Sequence, residues 1–300
     1  MGISPFYAEA IIRECSHKPF SGTVITMGRQ TMLFTPQETL QLFRDAGVTL
    51  DIDPASLETD SETSLAGNGY ISDRAFFGLL GVDKLRSLDH DAYEGADIIH
   101  DLNETLPSHL EQIADVIIDG STIDNVFNPA QALINLSRML KPGGRLISIN
   151  VGSNHYTPYM IPTPGWFFDF FVVNGYADCR VYVCIFAEDG AVTVLALDSG
   201  LIAANISTIH TVQSEKPLGL FIIAEKSTKP DPQQVPIQLH YQTKEQRSRY
   251  MERMAAMVGR RPDMLFSKRP FQTQVPDGYR AIFSDASIPQ KMSMSATAAL

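Results

Sequence analysis

From residue 22 to about residue 186, short apolar runs rich in β-branched residues alternate with segments of helical period, and this alternation limits the fold more than any other feature. "GTVITMG" reads as a buried strand. "TPQETLQLFRDAG" reads as a helix with Thr35 as N-cap, Pro36 in the first turn and Gly47 at the C-terminal end. "SDRAFFGLLG" continues as a helix, "KLRSLD", "ADIIHD" and "ADVIIDG" as strands, "NPAQALINLSRMLKPGG" as a helix with a Lys-Pro-Gly-Gly stop, and "RLISINV" as the next strand. Strands separated by helices predict βαβ units and a mostly parallel sheet through Val24, Leu88, Ile99, Val116 and Ile147.

The style changes afterwards. "TPGWFFDFFVVNGY" predicts a helix whose aromatic residues face the core, and "CRVYVCIFA" and "LGLFIIAEK" predict two antiparallel strands at one sheet edge, with no strong helical period between them. "KPDPQQVP" is a Pro-rich linker, and "TKEQRSRYMERMAAMVGRR" is a basic helix suited to a solvated face or a contact between copies of the chain. The expected organisation is an N-terminal segment over 1–21, an α/β domain over 22–228 with a loop insertion at 48–70, and a C-terminal helical extension over 229–300.

Composition narrows the function. The chain carries 24 Lys+Arg against 34 Asp+Glu, and the excess of acid lies ahead of the linker. An acidic body is a poor partner for nucleic-acid phosphates, so the expected ligands are small molecules. Three cysteines, Cys15, Cys179 and Cys184, form no metal-spaced pair, and Cys179 and Cys184, five apart on one strand, fall on opposite faces. No apolar run reaches the length of a membrane span and no stretch has the order of a signal peptide, so the expected setting is the cytoplasm.

In open α/β sheets ligands bind outside the carboxyl ends of the strands, near the point where strand order reverses. Four such ends stand out: Gly28-Arg29-Gln30, Asp89, Asp101, and Asp119-Gly120-Ser121. Asp89 either accepts hydrogen bonds from a ribose diol or caps the turn that follows it. With one glycine where phosphate loops hold two or three, the first loop is unsuited to a pyrophosphate, whereas the Arg29 fork could pair with a carboxylate.

The series "VITMGRQTM", "SLDHDAYEGADIIHDLNETLP", "DVIIDGSTIDNVFNP" and "MLKPGGRLISI" resembles a group of class I S-adenosylmethionine-dependent methyltransferase-like proteins whose first loop reads Gly-Arg-Gln, over roughly residues 22–186. The resemblance implies a doubly wound, Rossmann-like sheet of seven strands with the last antiparallel, and S-adenosylmethionine across the strand ends. It implies that Gly28 lies under the methionine part, that Asp89 meets the ribose, that Asp101 and Leu102 flank the adenine, and that Asp119, Gly120 and Ser121 border the methyl donor. In the first loop, Arg29 or Gln30 would replace the missing backbone donors with side-chain donors aimed at the methionine carboxylate.

Two functions follow from different classes. One is a methyltransferase acting on a small molecule or sugar, with His155 or Tyr156 as base or hydrogen-bond partner for an acceptor hydroxyl. The other is a cofactor-free scaffold or regulatory subunit, suggested by the single-glycine loop and by Asn125 where relatives of the group carry histidine.

Overall fold

The structure is a computed structural model and describes residues 2–153, 158–197, 212, 214–229, 233–257 and 279–281. Five strands, β2 (Thr23–Met27), β4 (Lys84–Asp89), β5 (Ile98–Ile99), β6 (Ala114–Gly120) and β7 (Leu140–Val151), pair in parallel as the alternation predicts. The antiparallel strand β10 (Leu218–Glu225) inserts between β7 and β8 (Asp178–Phe186). These seven strands match the expected set.

Two more extend the same edge. "VTVLAL" forms β9 (Val192–Leu197), antiparallel to β8, and β11 (Tyr279–Ala281) pairs with β9, so among the described residues the sheet has nine strands in the order β11-β9-β8-β10-β7-β6-β2-β4-β5. A separate parallel pair joins β1 (Gly2–Ile3) to β3 (Thr31–Met32).

Successive residues of a strand point to opposite faces, and the core divides accordingly. Ile25, Ile117, Leu146 and Ile222 pack on one face with α4 (Pro129–Met139), α5 (Pro164–Val173) and α6 (Lys244–Ala256). Val24, Ile118, Ile147 and Phe221 pack on the other with α1 (Pro5–His17), α2 (Pro36–Asp45) and α3 (Asp73–Leu79). Cys179 lies in the first cluster and Cys184 in the second, as the odd spacing requires. Phe167, Phe168, Phe170 and Phe171 of α5 are all buried core residues.

Helix ends follow the sequence cues. α2 begins in a capping box between Thr35 and Glu38, and Gly47 follows it at φ +84°. The first and last helices among the described residues belong to the core: α1 buries Ile11 and Ile12 completely, and Tyr250 of α6 donates to Asp169 of α5 at 2.7 Å. Among the described residues no helix is long and apolar enough to cross a membrane.

Candidate functional site

At the tip of β2 the chain turns through Gly28, at φ +71°, and the Gly28 amide donates to the Leu88 carbonyl at 2.6 Å. Arg29 then turns inward. Its Nε and Nη2 donate to Asp73 at 2.9 and 2.6 Å, its Nη1 donates to Glu62, and it is 4% exposed. Asp73, in the first turn of α3 behind the Ser72 cap, is equally buried and also accepts from the Gln30 amide at 3.1 Å. A fork–fork pair of this kind satisfies both ions internally. This corrects the reading of Arg29 as a side-chain donor for a ligand carboxylate.

Gln30 is corrected likewise. Its Nε2 donates back to the Met27 carbonyl at 2.6 Å and to that of Gly28 at 3.3 Å, and its carboxamide lies against Gly120 of β6. A Cβ built on Gly120 would fall 1.9 Å from Gln30 Oε1, so the glycine is needed for this close approach.

Arg29 also fixes the insertion. Besides the pair to Glu62, Thr31 Oγ1 donates to Thr63 Oγ1 at 2.9 Å and the Ser64 amide donates to Glu94 Oε1 at 2.8 Å. Residues 62–64 are therefore tied to the first loop and to the turn after β4.

At the tips of β4 and β5 the carboxylates face outward. Asp89 Oδ1 accepts from the His90 amide and ring Nδ1 at 2.7 and 2.9 Å, and Asp101 Oδ1 accepts from the Asn103 amide and Nδ2 at 2.9 and 2.8 Å. The second oxygen of each has no hydrogen bond among the described residues. Hydrogen bonding to Asp89 first, then the charges of Asp91, Asp89 and Asp101, raise the His90 ring above its ordinary value. Leu102 departs from the expectation, since its side chain is buried in the core. Only its backbone is left for a ligand.

At the tip of β6, Asp119 is fully buried and does not face a ligand. It accepts from the Thr122 amide at 2.8 Å and from Ser148 Oγ at 2.5 Å. Ser121, a non-glycine residue at φ +70°, turns the chain and donates to both oxygens of buried Asp124 at 2.9 Å. Asp119 and Ser121 thus hold the β6–β7 connection, and the complete burial of Asp119 corrects its reading as a residue bordering a methyl donor.

Burial, and secondly the Asp124 charge, push the Asp119 carboxyl up to about 7 against the pull of Ser148 and two amides. A folded value raised above the unfolded one stabilises the fold fully below the unfolded pKa, and that contribution is lost as pH rises through about 7. Wild-type urea midpoints are therefore expected to fall more between about pH 5 and about pH 8 than those of Asp119→Asn. Parallel pH profiles for the two proteins would overturn this.

His155 and Tyr156 lie outside the described residues. Beside them in sequence, Tyr159 contacts Phe127 edge to face, with ring centroids 5.5 Å apart, and the two rings are 70% and 78% exposed. Sequence reasoning missed Asp73, Glu62 and Asp124, whose partners are distant in the chain or offered no pattern. A shallow groove lined by Val173, Gln234, Tyr250 and Arg253 lies between α5, the linker and α6, away from the strand tips.

No protein-family model and no curated protein matches this chain. Among solved structures it is similar to a SAM-dependent methyltransferase from Archaeoglobus fulgidus, 11% identical over 73% of this chain and 94% of that one, TM-score 0.37. It is also similar to phosphoethanolamine N-methyltransferase 2 of Haemonchus contortus in complex with S-adenosyl-L-methionine, 11% identical over 74% and 53% of the two chains, TM-score 0.38. A 16S rRNA methyltransferase from Catenulisporales acidiphilia gives 13% identity over 76% and 95%, TM-score 0.31. The fold assignment rests on the strand order itself.

Proposed function

We propose that this chain is an S-adenosylmethionine-dependent methyltransferase acting on a small molecule or sugar. The observation that carries the reading is the pair of adjacent strand tips at which Asp89 and Asp101 each keep one carboxylate oxygen without a hydrogen bond among the described residues. A ribose diol donates to such an oxygen at the tip of the second strand of a doubly wound sheet. The exposed Phe127–Tyr159 pair supports an acceptor with a flat, apolar ring face.

The two ends of the cofactor fare differently. The adenosyl end fits, with Asp89 and Asp101 as the residues that would hold it. The methionyl end does not fit the site as it stands: the Gly28 amide, the Arg29 fork and the Gln30 Nε2 are all engaged within the protein. When bound, S-adenosylmethionine supplies an electrophilic methyl group on its sulfonium.

Calorimetry with S-adenosylmethionine and with adenosine tests the reading. Asp89→Ala is expected to weaken both by roughly ten- to a hundred-fold, the loss of about 1.5–3 kcal/mol for hydrogen bonds to a charged group. The closed methionyl end favours a second reading, a cofactor-free scaffold or regulatory subunit. That reading stands if neither ligand binds at millimolar concentration.

A further inference from the structure

We infer that Gln30 is a built-in plug that sets the affinity for the amino-acid end of the ligand, and that it must leave its seat before that end can enter. This rests on the S-adenosylmethionine reading above. Gln30 is 1% exposed and sits between the tips of β2 and β6, the adjacent central strands whose crossovers run to opposite faces of the sheet. In a doubly wound sheet that is where a ligand crosses the strand ends.

Three features mark the side chain as a stand-in for a ligand group. Its Nε2 gives the carbonyls of Met27 and Gly28 the N–H donors that a ligand ammonium would give them. Its Oε1 is buried with no hydrogen-bond partner among the described residues, which disfavours the closed seat. Its space exists because position 120 is glycine. Removal leaves the neighbours supported, since Met27 O also accepts from Thr122 Oγ1 at 2.9 Å and Arg29 keeps Asp73.

A ligand that binds only the opened form has its affinity reduced by the fraction of molecules that are open. Adenosine, which has no amino-acid end, escapes this reduction. Calorimetry of wild type, Gln30→Ala and Gln30→Met with S-adenosylmethionine, S-adenosylhomocysteine and adenosine separates the cases, with thermal melts confirming that each variant is folded. Gln30→Ala is expected to tighten the two amino-acid-bearing ligands at least tenfold and to leave adenosine unchanged. Gln30→Met keeps the volume of the plug and is expected to behave as wild type. If adenosine binds and Gln30→Ala leaves the ratio of S-adenosylmethionine to adenosine affinity unaltered, or if Gln30→Met opens the site as Ala does, the plug is overturned. If adenosine binds none of the three proteins, the cofactor reading itself has failed.

Discussion

Replacing Glu14 by alanine is expected to remove about 3–5 kcal/mol of folding stability, a large part of the 5–15 kcal/mol typical of a domain. Glu14 is completely buried on α1 and accepts from Arg145 Nη1 at 2.6 Å and from Arg180 Nη1 and Nη2, each at 3.0 Å. Arg180 also pairs with Asp178 at 3.0 Å, while Arg145 donates to the Lys18 carbonyl at 2.8 Å and lies 4.9 Å from the centre of the Phe20 ring. Alanine would leave two buried guanidinium groups facing one carboxylate, and an uncompensated buried charge is the costly outcome.

Acid should mimic the substitution. Burial by itself raises the Glu14 carboxyl, but hydrogen bonds and charge from Arg180 and Arg145 more than offset it and hold it below its ordinary value. A lowered folded pKa gives stability that is present above the unfolded value and lost as pH falls through the folded one. Urea denaturation at neutral pH measures the effect of Glu14→Ala directly. A loss under about 1 kcal/mol, the scale of an exposed pair, would show that the cluster does not hold α1 to the sheet.

Arg29→Ala is the second large effect, again about 3–5 kcal/mol of stability, because Asp73 would remain buried without its guanidinium partner. Asp73→Ala in the same chain should recover part of that loss, so the double variant is expected to cost clearly less than the sum of the single ones. The insertion should loosen as well, since Glu62 keeps only the longer, exposed pair to Arg74 at 3.9 Å, and cleavage within residues 60–66 by a protease should speed up. Additive single losses, or a stable Arg29→Ala protein with weakened ligand binding, would return Arg29 to the role of ligand contact.

Much of this architecture was legible because it is local. The bounds of β4 and β6, the Thr35 cap of α2 and the aromatic face of α5 follow from hydrophobic period and from capping chemistry, both of which act within a few residues. Strand β9 was not legible. "AVTVLALD" carries no flanking helix to mark a βαβ unit, and its pairing is settled by the exposed edge of β8. The N-terminal residues gave no sign of joining the core, since α1 is anchored by Arg145 and Arg180, more than a hundred residues away.

For the strand tips, the sequence by itself determined where the polar residues fall: at the carboxyl ends of β2, β4, β5 and β6, because strand period and turn residues fix where each strand stops. Only the tertiary structure decided which way they face. Asp89 ends β4 and Asp101 follows β5 at the open side of the sheet, each with one oxygen unbonded among the described residues, whereas Asp119 lies near the end of a central strand and meets Ser148 of its neighbour. "GRQ" shows the same division. A buried guanidinium must find a carboxylate, and the one within reach stands on α3, 44 residues along the chain, where no spacing rule in the sequence could point.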